Sequence, residues 1–195
     1  MKTKVLLVIL IVRLALTTDG QSLAPANCPR PDVVKDFELS KYLGKWYEIQ
    51  RTLALFERDL QCVTAEYGIL KNETISVRNA GINSNGEKKG IEGEATVQNI
   101  SEPAKLKVRF ETAPFPANYW ILDTDYDNFA VVWSCFNLGP FGLLHTENLW
   151  ILGREKVLDE DLLKTIYSKL DKLGIEWDHL RNTTQIGCDI SGNNK

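Results

Sequence analysis

Short segments in which apolar and polar residues alternate, separated by turn signals, fill residues 44 to 154. The clearest is the stretch KLKVRF, in which Leu106, Val108 and Phe110 share one face while Lys and Arg residues share the other. About eight such segments follow one another with no helical pattern between them, which predicts an antiparallel barrel or sandwich. A doubly wound α/β sheet is therefore not expected.

One amphipathic helix is predicted after the strands, over about residues 159–173. The acidic residues Asp159, Glu160 and Asp161 stand at its start, where the helix dipole favours negative charge. Gly174 is typical of a helix end. Apolar residues recur at spacings of three and four and predict one stripe that packs on the outer wall of the sheet. They are Leu162, Leu163, Ile166, Tyr167, Leu170 and Leu173.

Residues 1–20 predict a cleaved secretory signal peptide rather than part of the fold. Lys2 and Lys4 precede the apolar run 5–12, which is too short for a spanning helix of about 20 residues. Small residues before Gln21 make it the expected first residue of the mature chain. Arg13 interrupts the apolar region, so an uncleaved signal anchor is the alternative.

Secretion would place the four cysteines in oxidising conditions, where they would form two disulfides. The residues alone leave three pairings open. The two histidines cannot complete an ordinary structural zinc site with cysteines so widely spaced, and no metal is expected. A net charge of −3 predicts no surface for nucleic acid. N-glycosylation acceptors occur at Asn72, Asn99 and Asn182.

Three short motifs occur in a fixed order along the chain. Gly44-Lys45-Trp46 comes first, Thr124-Asp125-Tyr126 lies between two late strands, and Arg154 ends the last strand before the helix. A single G-x-W is a weak signal, but the three motifs in this order are specific, and together they resemble the lipocalin family. The signature residues are Gly44, Trp46, Thr124, Asp125, Tyr126 and Arg154.

Further segments resemble the apolipoprotein D group of lipocalins, to which insect bilin-binding lipocalins are related. They include Asn27-Cys28-Pro29, Ile91–Thr96 and Ser101–Leu106, and the resemblance runs over residues 27–188. It implies an all-β fold, an eight-stranded antiparallel up-and-down barrel with one C-terminal α-helix packed on the outside. It also implies a single domain over residues 21–195, with the barrel core at about 44–154 and a tail tied by a disulfide.

The resemblance implies further structural roles. Trp46 and Arg154 would meet at the closed end of the barrel with the guanidinium stacked on the indole, which contributes about 2 kcal/mol. The implied disulfides join Cys28 to Cys135 and Cys62 to Cys188. Because Asn137 stands where that group has an additional unpaired cysteine, no disulfide-linked partner is expected.

An eight-stranded barrel has room for one small ligand, and strand parity combined with the resemblance predicts its lining. Trp150 shares a face with the inward-pointing Arg154, and Tyr67, Asn79 and Tyr119 match inward positions of the apolipoprotein D pattern. Core packing is the alternative role for each aromatic residue. The Asn79 amide is different, because a single amide in an apolar cavity needs a hydrogen-bond partner. The predicted ligand-binding residues are Trp150, Tyr67, Tyr119, Asn79, Phe110, Val108 and Val77.

This lining predicts an extracellular carrier of a small hydrophobic ligand with one polar head, such as a fatty acid, a steroid or a tetrapyrrole. The alternatives are a bilin- or carotenoid-binding lipocalin and an enzyme-type lipocalin acting on oxidised lipids. His145 and His179 are the only histidines and no G-x-S-x-G occurs, so neither an enzyme nor a cofactor is expected. Residues 112–115 also lack the methionine that some apolipoprotein D-type proteins are thought to use against lipid peroxides.

Two apolar segments are expected at the open mouth of the barrel, residues 52–56 and 136–144. They predict either a lid folded over the pocket or a patch that contacts a lipoprotein or membrane surface. The residues predicted for surface contact are Leu53, Leu55, Phe56, Phe141 and Leu143.

Overall fold

The structure is a computed structural model that describes residues 22–25, 27–54, 57–70, 74–139 and 143–188. The predicted signal peptide, Leu55, Phe56, Asn72 and Phe141 lie outside the described residues. Within these ranges, no helix is long and apolar enough to cross a membrane.

Strands account for most of the regular structure, and a short helix precedes the barrel. The strands are β1 (Ser22–Pro25), β2 (Gly44–Arg51), β3 (Gln61–Ile69), β4 (Ile75–Ile82), β5 (Lys88–Val97), β6 (Lys105–Phe110), β7 (Ala117–Thr124), β8 (Phe129–Leu138), β9 (Leu144–Gly153) and β10 (Arg181–Asn182). The helices are α1 (Leu39–Tyr42) and α2 (Glu160–Leu173).

The eight strands from β2 to β9 form a closed antiparallel barrel. Each strand pairs with the next, and β9 returns to β2, where Tyr47 lies opposite Gly153 and Arg51 lies opposite Trp150. β1 extends the edge of β9, and β10 extends the edge of β2. The predicted all-β up-and-down barrel is confirmed.

The hairpin between β8 and β9 is longer than expected. Leu138 pairs with Leu144, so residues 136–138 and 144 of this segment are strand and residues 139–143 connect the two strands. The predicted loop over residues 136–144 does lie between these two strands, but its bounds were too wide at both ends. Strand pairing uses backbone groups, which continue to bond even where a side chain such as Phe136 is exposed.

Helix α2 covers the outer wall of the barrel, as its apolar stripe predicted. The Asp159 carboxylate caps its start by accepting hydrogen bonds from the N–H groups of Asp161 and Leu162. Gly174, with a φ of 69°, ends it. The buried residues in this outer cluster include Ile166, Leu170, Trp133, Leu149 and Ile151.

The closed end is held by one arginine. The Arg154 guanidinium carbon lies 3.6 Å from the centroid of the Trp46 ring, which confirms the predicted stack. Its Nε donates to the Tyr126 carbonyl oxygen at 2.8 Å and its Nη1 to the Lys45 carbonyl oxygen at 2.9 Å. Trp46 is fully buried and donates from its own Nε1 to the Tyr42 carbonyl oxygen.

The Thr-Asp-Tyr motif builds the turn between β7 and β8 at this same end. The Thr124 hydroxyl donates to the Phe129 carbonyl oxygen and accepts from the Tyr126 N–H. The Asp125 carboxylate accepts from the backbone N–H groups of Asn128 and Phe129. These bonds lower the pKa of Asp125, although its partial burial acts in the opposite direction.

The C-terminal segment fills a gap in the barrel wall. β2 and β3 pair only from Gly44–Tyr47 to Thr64–Tyr67, near the closed end. Closer to the mouth, residues 181–185 lie between the two strands, where Arg181 pairs with Arg51 of β2.

Hydrogen bonds from side chains and backbone complete the seam in which residues 181–185 lie between β2 and β3. The Cys62 N–H donates to the Thr184 carbonyl oxygen at 2.8 Å. The buried Gln185 amide donates to two carbonyl oxygens on opposite strands, those of Glu48 at 2.9 Å and Val63 at 2.8 Å. The C-terminal segment therefore belongs to the wall.

Both disulfides have the pairing that the resemblance implied. Cys28 is bonded to Cys135 on β8, and Cys62 on β3 is bonded to Cys188. The second bond fastens the end of the C-terminal segment to the strand beside which it lies.

Candidate ligand-binding site

The barrel contains a cavity that opens at the mouth, with about 680 Å³ of space free of atoms, counting the part that joins the solvent. All of the residues predicted to bind ligand line it. The described lining residues are Glu48, Glu57, Val63, Thr64, Ala65, Tyr67, Val77, Asn79, Val108, Phe110, Ala117, Asn118, Tyr119, Val132, Ser134, Trp150 and Leu152.

The predicted residues differ in how deeply they are buried. Tyr67, Val77 and Val108 are buried in the barrel core. Asn79, Phe110, Tyr119 and Trp150 are half-buried, so part of each side chain is free to meet a ligand. Their contact with a ligand stays a prediction.

Asn79 presents an unsatisfied acceptor. Its Oδ1 atom is buried and has no hydrogen-bond partner among the described residues. An orphaned polar group of this kind costs about 1–3 kcal/mol. A hydroxyl or N–H group of a bound ligand would relieve this cost.

Three tyrosine hydroxyls form a hydrogen-bonded chain that reaches the cavity through Tyr67 and Tyr119. Tyr119 Oη lies 2.6 Å from Tyr67 Oη and 2.7 Å from Tyr42 Oη. Burial raises the pKa of all three phenols, so they stay protonated near neutral pH. Two hydrogen bonds use two of the three protons, and the third hydroxyl is left to donate elsewhere.

Glu57 places a carboxyl group in the wall. It is 6% exposed, and its Oε2 accepts a hydrogen bond of 3.2 Å from Trp150 Nε1. Burial, and then the neighbouring Glu48 carboxylate, raise the pKa of Glu57 to about 7.

Glu48 is the second buried acid of the wall, and it is bonded in a different way. Its carboxylate accepts from the Arg51 guanidinium and from the Thr183 hydroxyl. Burial raises the pKa of Glu48, while Arg51 opposes this shift. Arg51 also donates to the carbonyl oxygens of Glu57 and Leu60, so its donors are used within the wall.

The two acids were not among the predicted site residues. Glu48 could have been found by parity, since it follows the inward-facing Trp46 by two positions on β2. Glu57 lies in the connection between β2 and β3, where no periodicity indicates a direction.

The strand irregularity beside Glu48 also escaped prediction. The register between β2 and β9 shifts between Glu48 and Gln50, and Gln50 instead bonds the Tyr167 hydroxyl of α2 on the outer wall. Simple alternation fails at such a bulge, because one extra residue reverses the face of those that follow.

The residues predicted for surface contact are only partly described. Leu143 is 69% exposed and is not among the cavity-lining residues, so it does not act as a lid. Leu53 is half-buried, and Leu55, Phe56 and Phe141 lie outside the described residues.

Two of the predicted glycosylation acceptors are described. Asn99 and Asn182 are both exposed. The Asn182 Oδ1 accepts a hydrogen bond from Gln50 Nε2 at 2.8 Å. Their glycosylation stays a prediction, as does that of Asn72.

Comparison with known proteins places this architecture among relatives. The lipocalin-like domain family matches residues 37–185. Apolipoprotein D of Mus musculus is 38% identical over 188 residues, covering 96% of this chain and 98% of that protein. The Lazarillo protein of Schistocerca americana is 32% identical over 168 residues, covering 85% of this chain and 78% of that protein.

A solved structure is similar as well. Insecticyanin from the tobacco hornworm Manduca sexta superposes with a TM-score of 0.76 at 27% identity, covering 88% of this chain and 94% of that one. The similarity therefore includes the barrel as a whole.

Proposed function

This chain belongs to the lipocalin-like family, and from that premise we propose that it is an extracellular carrier that binds one small hydrophobic ligand in the barrel cavity for lipid transport. The observation that carries the proposal is the cavity itself, an open space with a mostly apolar wall and few polar groups. Small-molecule sites usually have this composition, in which apolar area supplies affinity and a few polar groups fix orientation.

The unsatisfied Asn79 acceptor supports a ligand with a polar end. Burying about 300 Å² of apolar ligand surface contributes about 7 kcal/mol before the cost of association is subtracted. Micromolar affinity corresponds to about −8 kcal/mol, so dispersion contacts and one or two hydrogen bonds are needed as well. We expect micromolar to submicromolar binding.

A carrier, rather than an enzyme, is the role proposed. The four cysteines of the sequence are all committed to the two disulfides, which leaves no thiol for covalent catalysis. His145, the buried histidine, bonds Glu147 at 2.8 Å and does not line the cavity.

Tryptophan quenching tests the proposal directly. The mature protein is titrated with retinol, arachidonate, progesterone and biliverdin, and at least one is expected to quench with saturation. Trp150→Phe should remove most of the quenching because Trp150 lines the cavity. Trp177→Phe is the matched control, since Trp177 stacks on Tyr167 at 4.2 Å on the outer wall.

Native mass spectrometry of protein secreted from eukaryotic cells gives a second readout. A mass excess that disappears on denaturation identifies carried ligand. If no probe quenches and no small molecule is released, the carrier proposal is wrong.

Secretion is part of the proposal, and the leader supports it. Expression of the full chain should release protein into the medium with Gln21 at its N-terminus. Retention in the membrane fraction with residues 1–20 intact would instead identify a signal anchor.

A further inference from the structure

We infer that Glu57 sets the head-group preference of the cavity, favouring apolar ligands whose polar end donates hydrogen bonds or carries a positive charge, and disfavouring carboxylates. This inference rests on the proposed carrier function, because it names the class of ligand that the same cavity takes.

The first argument is the position of the Glu57 carboxyl group. It lines the cavity, is 6% exposed, and has one oxygen held by Trp150 Nε1. The other oxygen, Oε1, has no hydrogen-bond partner among the described residues. A ligand group that donates a hydrogen bond would give it one.

The second argument is the charge of the wall. The described lining residues include the acids Glu48 and Glu57 and no lysine, arginine or histidine. The neighbouring cation, Arg51, is bonded to Glu48 and to backbone carbonyl oxygens. A ligand carboxylate would therefore lose its hydration without finding a cation, at a cost that is large in a low-dielectric site.

The third argument is the hydrogen-bonding chemistry that Asn79 and Glu57 share. Asn79 Oδ1 is a buried acceptor without a partner among the described residues, and the Glu57 carboxylate is a second acceptor where it is ionised. An alcohol or amine brings the donors that these oxygens require, whereas a carboxylate brings only further acceptors.

The charge state of Glu57 makes the preference depend on pH. Its pKa of about 7 means that it ionises as the pH rises through neutrality. The groups acting on it are Glu48 and Arg51 on β2 and Trp150 on β9, while the Tyr67 phenol on β3 stays neutral because its pKa is raised. A cationic ligand is thus held more strongly above the pKa of Glu57 than below it.

The test compares ligands that differ only at the head. Dodecylamine, 1-dodecanol and dodecanoate share one alkyl chain, and their dissociation constants are measured by calorimetry and by tryptophan quenching. At about pH 8 the amine should bind about tenfold or more tightly than the carboxylate, with the alcohol between them. At about pH 6, where Glu57 is protonated, the ratio between the dissociation constants of the carboxylate and the amine should fall several-fold.

The isosteric variant Glu57→Gln removes the charge and keeps the size. It should weaken amine binding about tenfold and change the dissociation constant of the alcohol by less than about threefold. The ratio of amine to carboxylate affinity should then no longer depend on pH. Glu66→Gln, which removes an exposed carboxylate from β3, is the matched control and should behave as the unmodified protein.

The outcomes separate the inference from the function on which it rests. If none of the three probes binds although retinol, progesterone or biliverdin quenches, the head-group assignment is wrong and the carrier proposal stands; the carrier proposal fails only if those ligands do not bind either and no small molecule is released. If all three bind with equal affinity, or if Glu57→Gln binds the amine as tightly as the unmodified protein does, the assignment to Glu57 is wrong. Should the variant fail to fold, the head-group series at two pH values on the unmodified protein still decides the question.

Discussion

At the residue scale, Arg154 shows how one side chain can close a barrel. Its guanidinium stacks on Trp46 and donates to the carbonyl oxygens of Lys41, Lys45 and Tyr126. These carbonyls belong to the segments that bound the closed end. Burial lowers the pKa of Arg154, but an arginine remains charged throughout the useful pH range.

We predict that Arg154→Lys destabilises the protein without altering the site. An ammonium cannot both stack as a plane and reach these separate carbonyls, so the free energy of unfolding should fall by about 2–4 kcal/mol. Urea denaturation measures this loss. Arg109→Lys on the exposed face of β6 should change stability by less than about 0.5 kcal/mol. A loss in ligand affinity of folded Arg154→Lys would contradict the prediction, because Arg154 does not line the cavity.

Glu57 leads to a prediction about stability and pH. Its pKa is about 7 in the folded protein against an ordinary value of 4.5, so ionisation is penalised only in the folded state. The contribution of Glu57 to the free energy of unfolding is therefore fully present below about pH 4.5, and it is lost as the pH rises through about 7. Across this pH range, the shift in the Glu57 pKa lowers the free energy of unfolding by about 3 kcal/mol in total.

Urea denaturation at about pH 5 and about pH 8 tests this linkage. Glu57→Gln should gain stability relative to the unmodified protein on going from the lower to the higher pH. Equal pH dependence in the two proteins would show that Glu57 ionises normally.

At the scale of elements, the C-terminal segment behaves as a strand substitute. β2 and β3 separate towards the mouth, and residues 181–185 occupy the space between them. The Gln185 amide bridges the Glu48 and Val63 carbonyl oxygens, one from each strand. The wall beside the buried acids therefore depends on a segment more than a hundred residues away along the chain.

We predict that Gln185→Leu opens this seam. The substitution leaves two buried carbonyl oxygens without a donor, which should lower the free energy of unfolding by about 2–4 kcal/mol. The matched control is Gln98→Leu, since Gln98 is exposed and its side chain bonds the Thr96 hydroxyl and no other described residue. Urea denaturation of both variants measures the difference, and equal stability would show that the bridge contributes nothing.

At the scale of the whole molecule, apolar side chains gather beside the mouth. Phe136, Leu143 and Leu144 are all exposed at the ends of β8 and β9. Phe141 adjoins them in the sequence. An exposed apolar group of this kind at the entrance of a cavity is suited to contact with a lipid surface.

We predict that the double variant Phe141→Ser with Leu143→Ser binds lipid vesicles or lipoprotein less well, while its ligand affinity in solution is unchanged. Sedimentation with vesicles measures the first quantity, and tryptophan quenching measures the second. The control pairs Ile100→Ser with Val157→Ser, two highly exposed residues that lie away from the mouth. Equal vesicle binding by the mouth variant and the unmodified protein would rule out the contact.

Local patterns were enough to predict the barrel strands, helix α2 and the apolar face of β6, whereas the inward placement of Tyr67, Tyr119 and Trp150 drew on the resemblance to a family. A strand such as β6 alternates strictly, and the stripe of α2 repeats every three to four residues, so each pattern is contained in a few consecutive residues. The stack of Arg154 on Trp46 and the disulfide pairing came from the resemblance to a family and not from periodicity.

Only the folded molecule shows the roles of the acid Glu57, the Tyr42 hydroxyl and the C-terminal segment 181–185. Each lies outside the regular strands of the barrel, and each gains its role from a partner distant in the chain, namely Trp150, Tyr119 and the gap between β2 and β3. Amino-acid order encodes which face of a strand is apolar, because that depends on near neighbours. Burial of a carboxyl group, and hence its charge, depends on atoms brought together from the whole chain.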